Sequence, residues 1–257
     1  MKKDEEKQGE SHFAEGAVSI LSVLRHASRE IFEIFLLPEA KKEKDILKLL
    51  DLAKKRNIPI RLTDRAFFDS AATGHTHGGV IASVGEKKMV TAEEVFDRGE
   101  GFVFMLCGVE DPFNFGCAVR SFYAAGAKGM VLAPRNWLSV AGVTMRASAG
   151  CTEAILSTVC EDPKALCAIA KERGYQVVCA SEKGAMELFQ APMNKPIFLI
   201  VGGEKRGISK ELLSLSDYRV KIPYEGKFGG SLTTSAAAAV CAFEVLRQAK
   251  ENYKQGV

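Results

Sequence analysis

The C-terminal part of the chain alternates short apolar runs with helix-like segments, and this alternation most constrains the fold. The apolar runs, typical of strands, cover 102–106, 129–133, 175–180 and 197–201, and a last, shorter strand covers 220–223. Helical patterns lie at 114–125 and 163–173, and a last one covers 236–250. Strands that alternate with helices in this way form a mainly parallel sheet with helices on both faces. The sequence therefore predicts an α/β fold for this part of the chain.

The N-terminal part predicts a second, smaller α/β domain. Apolar side chains recur at helical spacing in 13–24 and 45–56, whereas 31–37, 58–62 and 78–84 have the composition of strands. The polar stretch 87–101 follows and predicts a linker with a short helix at 91–97. We therefore expect a charged tail at 1–12, an N-terminal domain at 13–86, a linker at 87–101 and a C-terminal domain at 102–257.

Composition and charge exclude several classes of protein. Of the 257 residues 47% are hydrophobic, which is too many for a disordered chain, yet no apolar run approaches the roughly 20 residues that span a bilayer. The charged N-terminus has no apolar signal region behind it, so we expect a soluble cytoplasmic protein with no membrane partner. The net charge of +3 neither requires nor excludes a nucleic-acid partner.

Neither the cysteines nor the histidines have the spacing of a metal site. The seven cysteines include no Cys-x-x-Cys pair, and most have apolar neighbours, so we expect buried free thiols in a reducing compartment. No metal is expected. The loop His75-Thr76-His77 lies between glycines and has two interpretations, a polar turn or a contact with a polyanion or a nucleotide.

A first motif runs from a strand end into a helix at 111–120. Asn114 is a plausible N-cap for that helix, and Arg120 lies about two turns in, where it can point along the top of the sheet. The alternative is a capped helix with a surface arginine. The spacing alone does not separate the two.

Two glycine-bearing loops follow the last two predicted strands. Gly202-Gly203-Glu204 opens the first loop, and the second contains Ser231 and Leu232 before an alanine-rich helix. Ligands of open α/β sheets bind outside the carboxyl ends of the strands, where glycines let them approach the backbone. Glu204 stands where the dinucleotide fingerprint has glycine, and its carboxylate would repel pyrophosphate. The pattern favours a ligand with a cationic or hydrogen-bond-donating part, although the second loop alone could be an ordinary capped helix start.

Together the three motifs resemble the SpoU (TrmH-like) class of RNA ribose 2'-O-methyltransferases in the SPOUT superfamily. The resemblance rests on Asn114-x-Gly116-x-x-x-Arg120, on Gly202-Gly203-Glu204-x-x-Gly207, and on Ile222-Pro223 with Ser231-Leu232 and Ser235-Ala236. It covers about 102–248. The N-terminal domain resembles the small RNA substrate-binding domain that many members have.

The resemblance implies a trefoil knot that binds S-adenosyl-L-methionine, in a homodimer whose sites are completed across the interface. The cofactor-binding residues would be Gly202, Gly203, Ile222 and Leu232. The catalytic residues would be Arg120, Asn114, Glu204 and Ser231. Arg120 would stabilise the developing alkoxide of the ribose, or bind the RNA phosphate, with Asn114 and Glu204 fixing its orientation. Members commonly have asparagine where this chain has Thr233, a difference that affects the hydrogen bonding around Arg120.

The expected function is therefore S-adenosylmethionine-dependent 2'-O-methylation of RNA, with ribosomal RNA as the first expectation because of the N-terminal domain. Two alternatives stay open: a transfer RNA 2'-O-methyltransferase, and a non-catalytic RNA-binding protein that keeps the fold. A third, a transferase with a small-molecule substrate, is disfavoured by the many basic residues of the N-terminal domain. The sequence does not specify the target nucleotide.

Overall fold

In the computed structural model of the chain, the described residues are 12–40, 43–74, 76–97, 101–181, 186–193, 196–203, 206–226 and 229–254. They belong to two compact units. Unit 1 comprises Met1–Lys88 and Asn136–Ala154, and unit 2 comprises Met89–Arg135 and Ile155–Val257. Within the described ranges, no helix is both long enough and apolar enough to cross a membrane.

The strands are, in chain order, β1 (His12–Glu15), β2 (Ile31–Leu36), β3 (Ile60–Leu62), β4 (Val80–Val84), β5 (Phe102–Cys107), β6 (Ala127–Leu132), β7 (Leu156–Val159), β8 (Gln176–Ala180), β9 (Met186–Glu187), β10 (Ile197–Gly202) and β11 (Tyr218–Lys221). The helices are α1 (Ala17–His26), α2 (Lys44–Lys55), α3 (Arg65–Ala71), α4 (Ala92–Phe96), α5 (Pro112–Ala124), α6 (Ala141–Ala147), α7 (Cys151–Ala154), α8 (Pro163–Glu172), α9 (Lys210–Leu215) and α10 (Thr234–Lys254).

Unit 1 is built on a four-stranded sheet in the order β1-β4-β2-β3. Strands β1 and β2 run antiparallel to β4, and β3 runs parallel to β2. The predicted helix at 13–24 is wrong in its first turn, because the chain is extended from His12 to Glu15 and pairs with β4. Gly16, at φ 84°, then redirects the chain into α1. The apolar residues of β1 and α1 follow a single helical spacing, so the sequence pattern alone predicts one helix.

The segment Asn136–Ala154 packs in unit 1, although it lies within the expected C-terminal domain at 102–257. Its ties to the N-terminal residues are buried. Ser22 Oγ donates to the carbonyl of Gly150 at 2.7 Å, and Arg29 Nε donates to Glu153 at 2.9 Å. A buried ion pair with extra hydrogen bonds is costly to break, so these contacts fix the segment to unit 1.

Unit 2 is built on a seven-stranded sheet in the order β7-β6-β5-β10-β8-β11-β9, and all its neighbouring strands are parallel. On one face, α4, α8 and α9 contribute apolar side chains to a core with Val103, Met105 and Ile200. On the other face, Phe122 of α5 stacks on Phe104 at 4.0 Å between ring centroids, and α10 packs against α5 and β10. The mainly parallel sheet with helices on both faces and the small N-terminal α/β unit are confirmed; the trefoil knot stays a prediction.

Candidate active site

A cavity of about 870 Å³ opens in unit 2 where strands β8, β10 and β11 end. Its volume falls in the range of about 300–1,000 Å³ typical of small-molecule sites. The loops after β10 and β11 and the start of α10 complete its wall. The parallel strands bring these loops together because their carboxyl ends meet at one edge of the sheet.

The floor of the cavity is glycine backbone. Gly203 N donates to the carbonyl of Cys107 at 2.6 Å, which joins the loop after β10 to the end of β5. A Cβ atom on Gly203 would lie 2.5 Å from the carbonyl oxygen of Gly108, and one on Gly202 would lie 3.1 Å from Gly207 Cα. Both distances are shorter than ordinary van der Waals contact. An alanine at 203 would therefore displace the backbone, one at 202 would need a smaller shift of the Gly207 backbone, and a ligand in the cavity can approach the glycine backbone directly.

The connection between β11 and α10 adds apolar side chains to the wall and contains a hydrogen bond between its two ends. Ile222 and Leu232 line the cavity, and the backbone N–H of Leu232 donates to the Tyr224 hydroxyl at 3.2 Å. Thr233 Oγ1 accepts from Ala236 N at 3.4 Å, so Thr233 caps α10. The residue that departs from the family pattern thus has a structural role at the helix start.

The structure brings five of the eight predicted site residues to this cavity and leaves two on α5. The five lining residues are Gly202, Gly203, Ile222, Ser231 and Leu232. Among the described residues that line the cavity, neither Asn114 nor Arg120 occurs. Glu204 lies outside the described residues, as does His75 of the histidine loop.

The α5 residues differ in part from the prediction. Asp111, not Asn114, caps the helix, because its carboxylate accepts the N–H groups of Phe113 at 3.2 Å and Asn114 at 3.1 Å. Asn114 lies in the first turn and is half-buried, and Arg120 is exposed. The side chains at 114 and 120 are thus at the helix surface, where a macromolecule can reach them.

Sequence reasoning missed several residues of the cavity wall. Tyr224 is one of them, and Arg206, which forms an ion pair with Glu110 at 3.1 Å, is another. Glu187 and Lys221 add one charge of each sign. The available signals were their places in the motifs: Arg206 lies within Gly202-Gly203-Glu204-x-x-Gly207, and Tyr224 follows Ile222-Pro223 directly.

The cysteines near the cavity floor are unsuited to nucleophilic chemistry. Burial raises the pKa of the Cys107 thiol to about 12 and that of Cys179 to about 11. The thiolate is the reactive form, so both groups stay neutral and inert near neutral pH. The arrangement is therefore a binding cavity with backbone and apolar walls rather than a site for covalent catalysis by cysteine.

Two family models match the chain. The model described as the SpoU rRNA Methylase family matches residues 101–243, and the model described as RNA 2'-O ribose methyltransferase substrate binding matches residues 13–90.

Two bacterial relatives and one solved structure illustrate the similarity. The 23S rRNA (guanosine-2'-O-)-methyltransferase RlmB of Shewanella oneidensis is 27% identical, over 91% of this chain and 96% of the relative. That of Pseudomonas aeruginosa is 29% identical, over 91% and 95%. The SpoU methyltransferase AviRb from Streptomyces viridochromogenes, solved in complex with the cofactor AdoMet, has a TM-score of 0.77 at 21% identity and covers 93% of this chain and 90% of its own. At that identity the structure indicates a shared fold.

Proposed function

The chain belongs to the SpoU rRNA methylase family, whose model matches more than half of it, and on that basis we propose that it is an S-adenosyl-L-methionine-dependent RNA 2'-O-ribose methyltransferase. One observation carries the proposal: the residues of the second and third family motifs form one glycine-floored cavity in the matched region. The rival interpretation, a non-catalytic RNA-binding protein that keeps the fold, is separated from this one by the labelling experiment below.

The cavity fits a methyl donor that has a nucleoside and an amino-acid part. The glycine floor offers backbone groups for hydrogen bonding, and Ile222 and Leu232 offer the apolar surface that an adenine ring requires. We propose Gly202, Gly203, Ile222 and Leu232 as the cofactor-binding residues. When bound, S-adenosyl-L-methionine supplies an electrophilic methyl group for transfer to an oxygen nucleophile.

Arg120 is the proposed catalytic residue that acts on the RNA. A guanidinium has only donors, so it serves a developing alkoxide by hydrogen bonding and charge rather than by accepting its proton. Arg120 is exposed on α5, outside the cavity wall, so it is available to the ribose or the phosphate of an RNA at the surface. Asn114 on the same helix and Glu204 are proposed to orient the guanidinium, and Ser231 to contact the reacting group from the cavity rim.

Ribosomal RNA is the proposed substrate. The two relatives above are named as 23S rRNA methyltransferases and match nearly their whole length. The match of residues 13–90 to a substrate-binding model supports an RNA-binding role for the N-terminal domain at 13–86, followed by a linker at 87–101. Such a substrate implies a cytoplasmic location, which we also propose. The family resemblance further supports a trefoil knot around the cavity.

We propose that the chain acts as a homodimer. The packed helices α5 and α10 leave large apolar side chains at the surface: Phe113 is 56% exposed and Phe243 is 49% exposed. Tyr123 on α5 is also exposed. Apolar surface of this kind on two adjacent helices is typical of a protein interface.

A labelling experiment tests the proposed activity. Purified chain is incubated with methyl-labelled S-adenosylmethionine and either ribosomal RNA that lacks its modifications or unmodified transfer RNA. We expect label in ribosomal RNA, in dinucleotides that resist alkaline hydrolysis because the 2'-hydroxyl is blocked. Label in transfer RNA alone would favour the transfer RNA enzyme. Cofactor binding without labelling of either RNA would refute methyl transfer.

A further inference from the structure

Unit 1 contains a second cavity, of about 710 Å³, whose described lining shares no residue with that of the unit 2 cavity. The turn from β1 into α1, the start of α2, helix α3 and the loop before β4 form its wall, together with Arg146 of α6. Its volume is again in the range of small-molecule sites. All of its lining residues belong to unit 1.

Arg146 presents an oriented guanidinium to this cavity. Its Nη1 pairs with the carboxylate of Glu15, whose side chain is 1% exposed and which also accepts the N–H of Thr73 at 2.7 Å. A Cβ on Gly74 would lie 2.3 Å from the guanidinium, so only glycine lets Arg146 lie against the backbone there. Among the described residues, Nε and Nη2 of Arg146 have no hydrogen-bond partner. The structure thus fixes Arg146 in place and leaves donors for a ligand that accepts hydrogen bonds.

Acidic residues outnumber basic ones in the described lining of this cavity. Arg65 pairs with Glu39 at 2.8 Å. Apart from His77, the basic residues of the described lining are Arg65 and Arg146. Against these two guanidinium groups stand five carboxylates: Glu15, Glu39, Glu43, Asp45 and Asp69. This excess of negative charge disfavours a phosphate. A carboxylate accepts hydrogen bonds, so the ligand must offer donors as well as acceptors.

The cavity wall also contains an aromatic ring on which a planar ligand can stack. The His77 ring lines the cavity and contacts the Phe68 ring at 4.9 Å between centroids. The Nδ1 atom of His77 accepts the N–H of Gly79 at 3.1 Å, which fixes the ring plane. A fixed aromatic ring at the cavity wall is a surface on which a nucleobase can stack.

We propose that this cavity binds an unpaired guanine base of the substrate RNA. Guanine offers O6 and N7 acceptors, the partners that arginine reads bidentately, and its N1–H and N2–H₂ donors suit the carboxylates. Proteins read RNA sequence mainly on such unstacked bases in single-stranded regions. The inference rests on the proposed function, because that function makes RNA the substrate. It means that unit 1 recognises a particular base rather than binding the RNA backbone in general.

Binding of two oligonucleotides by the full chain tests the inference. A fluorescein-labelled oligoadenylate is compared with the same strand carrying one central guanosine, by fluorescence anisotropy. We expect the guanosine strand to bind about 5- to 150-fold more tightly, the range for one bidentate arginine–guanine pair. Equal dissociation constants for the two strands would overturn the assignment. Displacement of the guanosine strand by an equal concentration of guanosine monophosphate would make a free nucleotide the ligand and overturn the RNA assignment.

Two variants localise the preference to the cavity. Arg146→Lys keeps a cation beside Glu15 but loses the planar fork, so the preference for the guanosine strand should fall at least about fivefold. Glu43→Gln changes an exposed rim carboxylate with little risk to folding, and it should reduce the same preference. Arg61→Lys is the matched control, since Arg61 is exposed on β3 outside the cavity lining, and it should leave the preference intact.

The outcome for this cavity is separable from the outcome for methyl transfer. An unchanged guanosine preference in both Arg146→Lys and Glu43→Gln, with thermal melting showing a folded protein, would refute the cavity as the reader. Methyl labelling of ribosomal RNA is measured in parallel. Labelling without any guanosine preference would refute this inference alone and leave the proposed function standing.

Discussion

Replacing Gly203 by alanine tests the close approach of two loops on which the unit 2 cavity depends. The added Cβ would lie 2.5 Å from the carbonyl oxygen of Gly108, 2.7 Å from its carbonyl carbon and 3.0 Å from the carbonyl oxygen of Cys107. All three atoms are backbone, so no side-chain rotation can relieve the contact. The loop after β10 must move away from the end of β5, which also weakens the hydrogen bond from Gly203 N to Cys107.

The size of the effect follows from those distances. Overpacking of this kind costs about 1–3 kcal/mol in the free energy of unfolding, and the weakened hydrogen bond adds about 1 kcal/mol. Because Gly202 and Gly203 form the cavity floor, the displacement should also reduce cofactor affinity. If the strain of about 1–3 kcal/mol fell wholly on the bound state, the dissociation constant would rise about 5- to 150-fold.

Urea unfolding and calorimetric titration with S-adenosylmethionine measure the two effects. Gly229→Ala is the matched control, because nothing lies within 4 Å of a Cβ at that position and it lies near the same cavity. We expect the control to differ from the parent chain by less than about 0.5 kcal/mol. A Gly203→Ala protein with the parent's unfolding midpoint and cofactor affinity would refute the reasoning on the glycine floor.

Three further predictions follow from the site and the buried charges. Arg120→Ala should lower methyl transfer at least about 100-fold while cofactor affinity stays within about twofold, as measured by labelling and calorimetry; unchanged turnover would exclude a catalytic role. Glu153→Gln removes the buried partner of Arg29 and should cost about 3–5 kcal/mol of unfolding free energy, against less than about 1 kcal/mol for the exposed-pair control Asp51→Asn, which removes the partner of Lys55; equal costs would contradict the buried pairing. Burial raises the pKa of Cys107 to about 12 from an ordinary 9.0, so the unfolded state loses this proton first. Stability should be intact below about pH 9 and should fall as the pH rises towards about 12, and a constant urea midpoint across that range would contradict this.

The C-terminal architecture could be predicted from the sequence because the central strands β5 and β10 are short, fully apolar runs bounded by glycine or proline. Strand β10, with every residue but the last buried, is the clearest case. Strand β7 was missed because its residues Leu156-Ser157-Thr158-Val159 mix hydroxyls with apolar side chains. Ser157 and Thr158 are buried, and only their pairing with β6 identifies them as strand residues.

The site was predictable to the extent that it is made of loops at strand ends. The glycines at 202 and 203 and the apolar residues at 222 and 232 do line one cavity. The helix cap was assigned to Asn114 rather than Asp111, because both side chains can cap and only the backbone register decides between them. The packing of Asn136–Ala154 in unit 1 rests on long-range contacts such as Arg29 with Glu153, which no local pattern encodes.

The most direct test of the central claim is a crystal structure of the full chain grown with S-adenosylhomocysteine, the product of methyl transfer. We predict density for the nucleoside between the glycine floor at Gly202 and Gly203 and the apolar wall at Ile222 and Leu232. Density for the ligand only elsewhere, for instance in the unit 1 cavity, or side chains filling the space between these turns, would contradict the account.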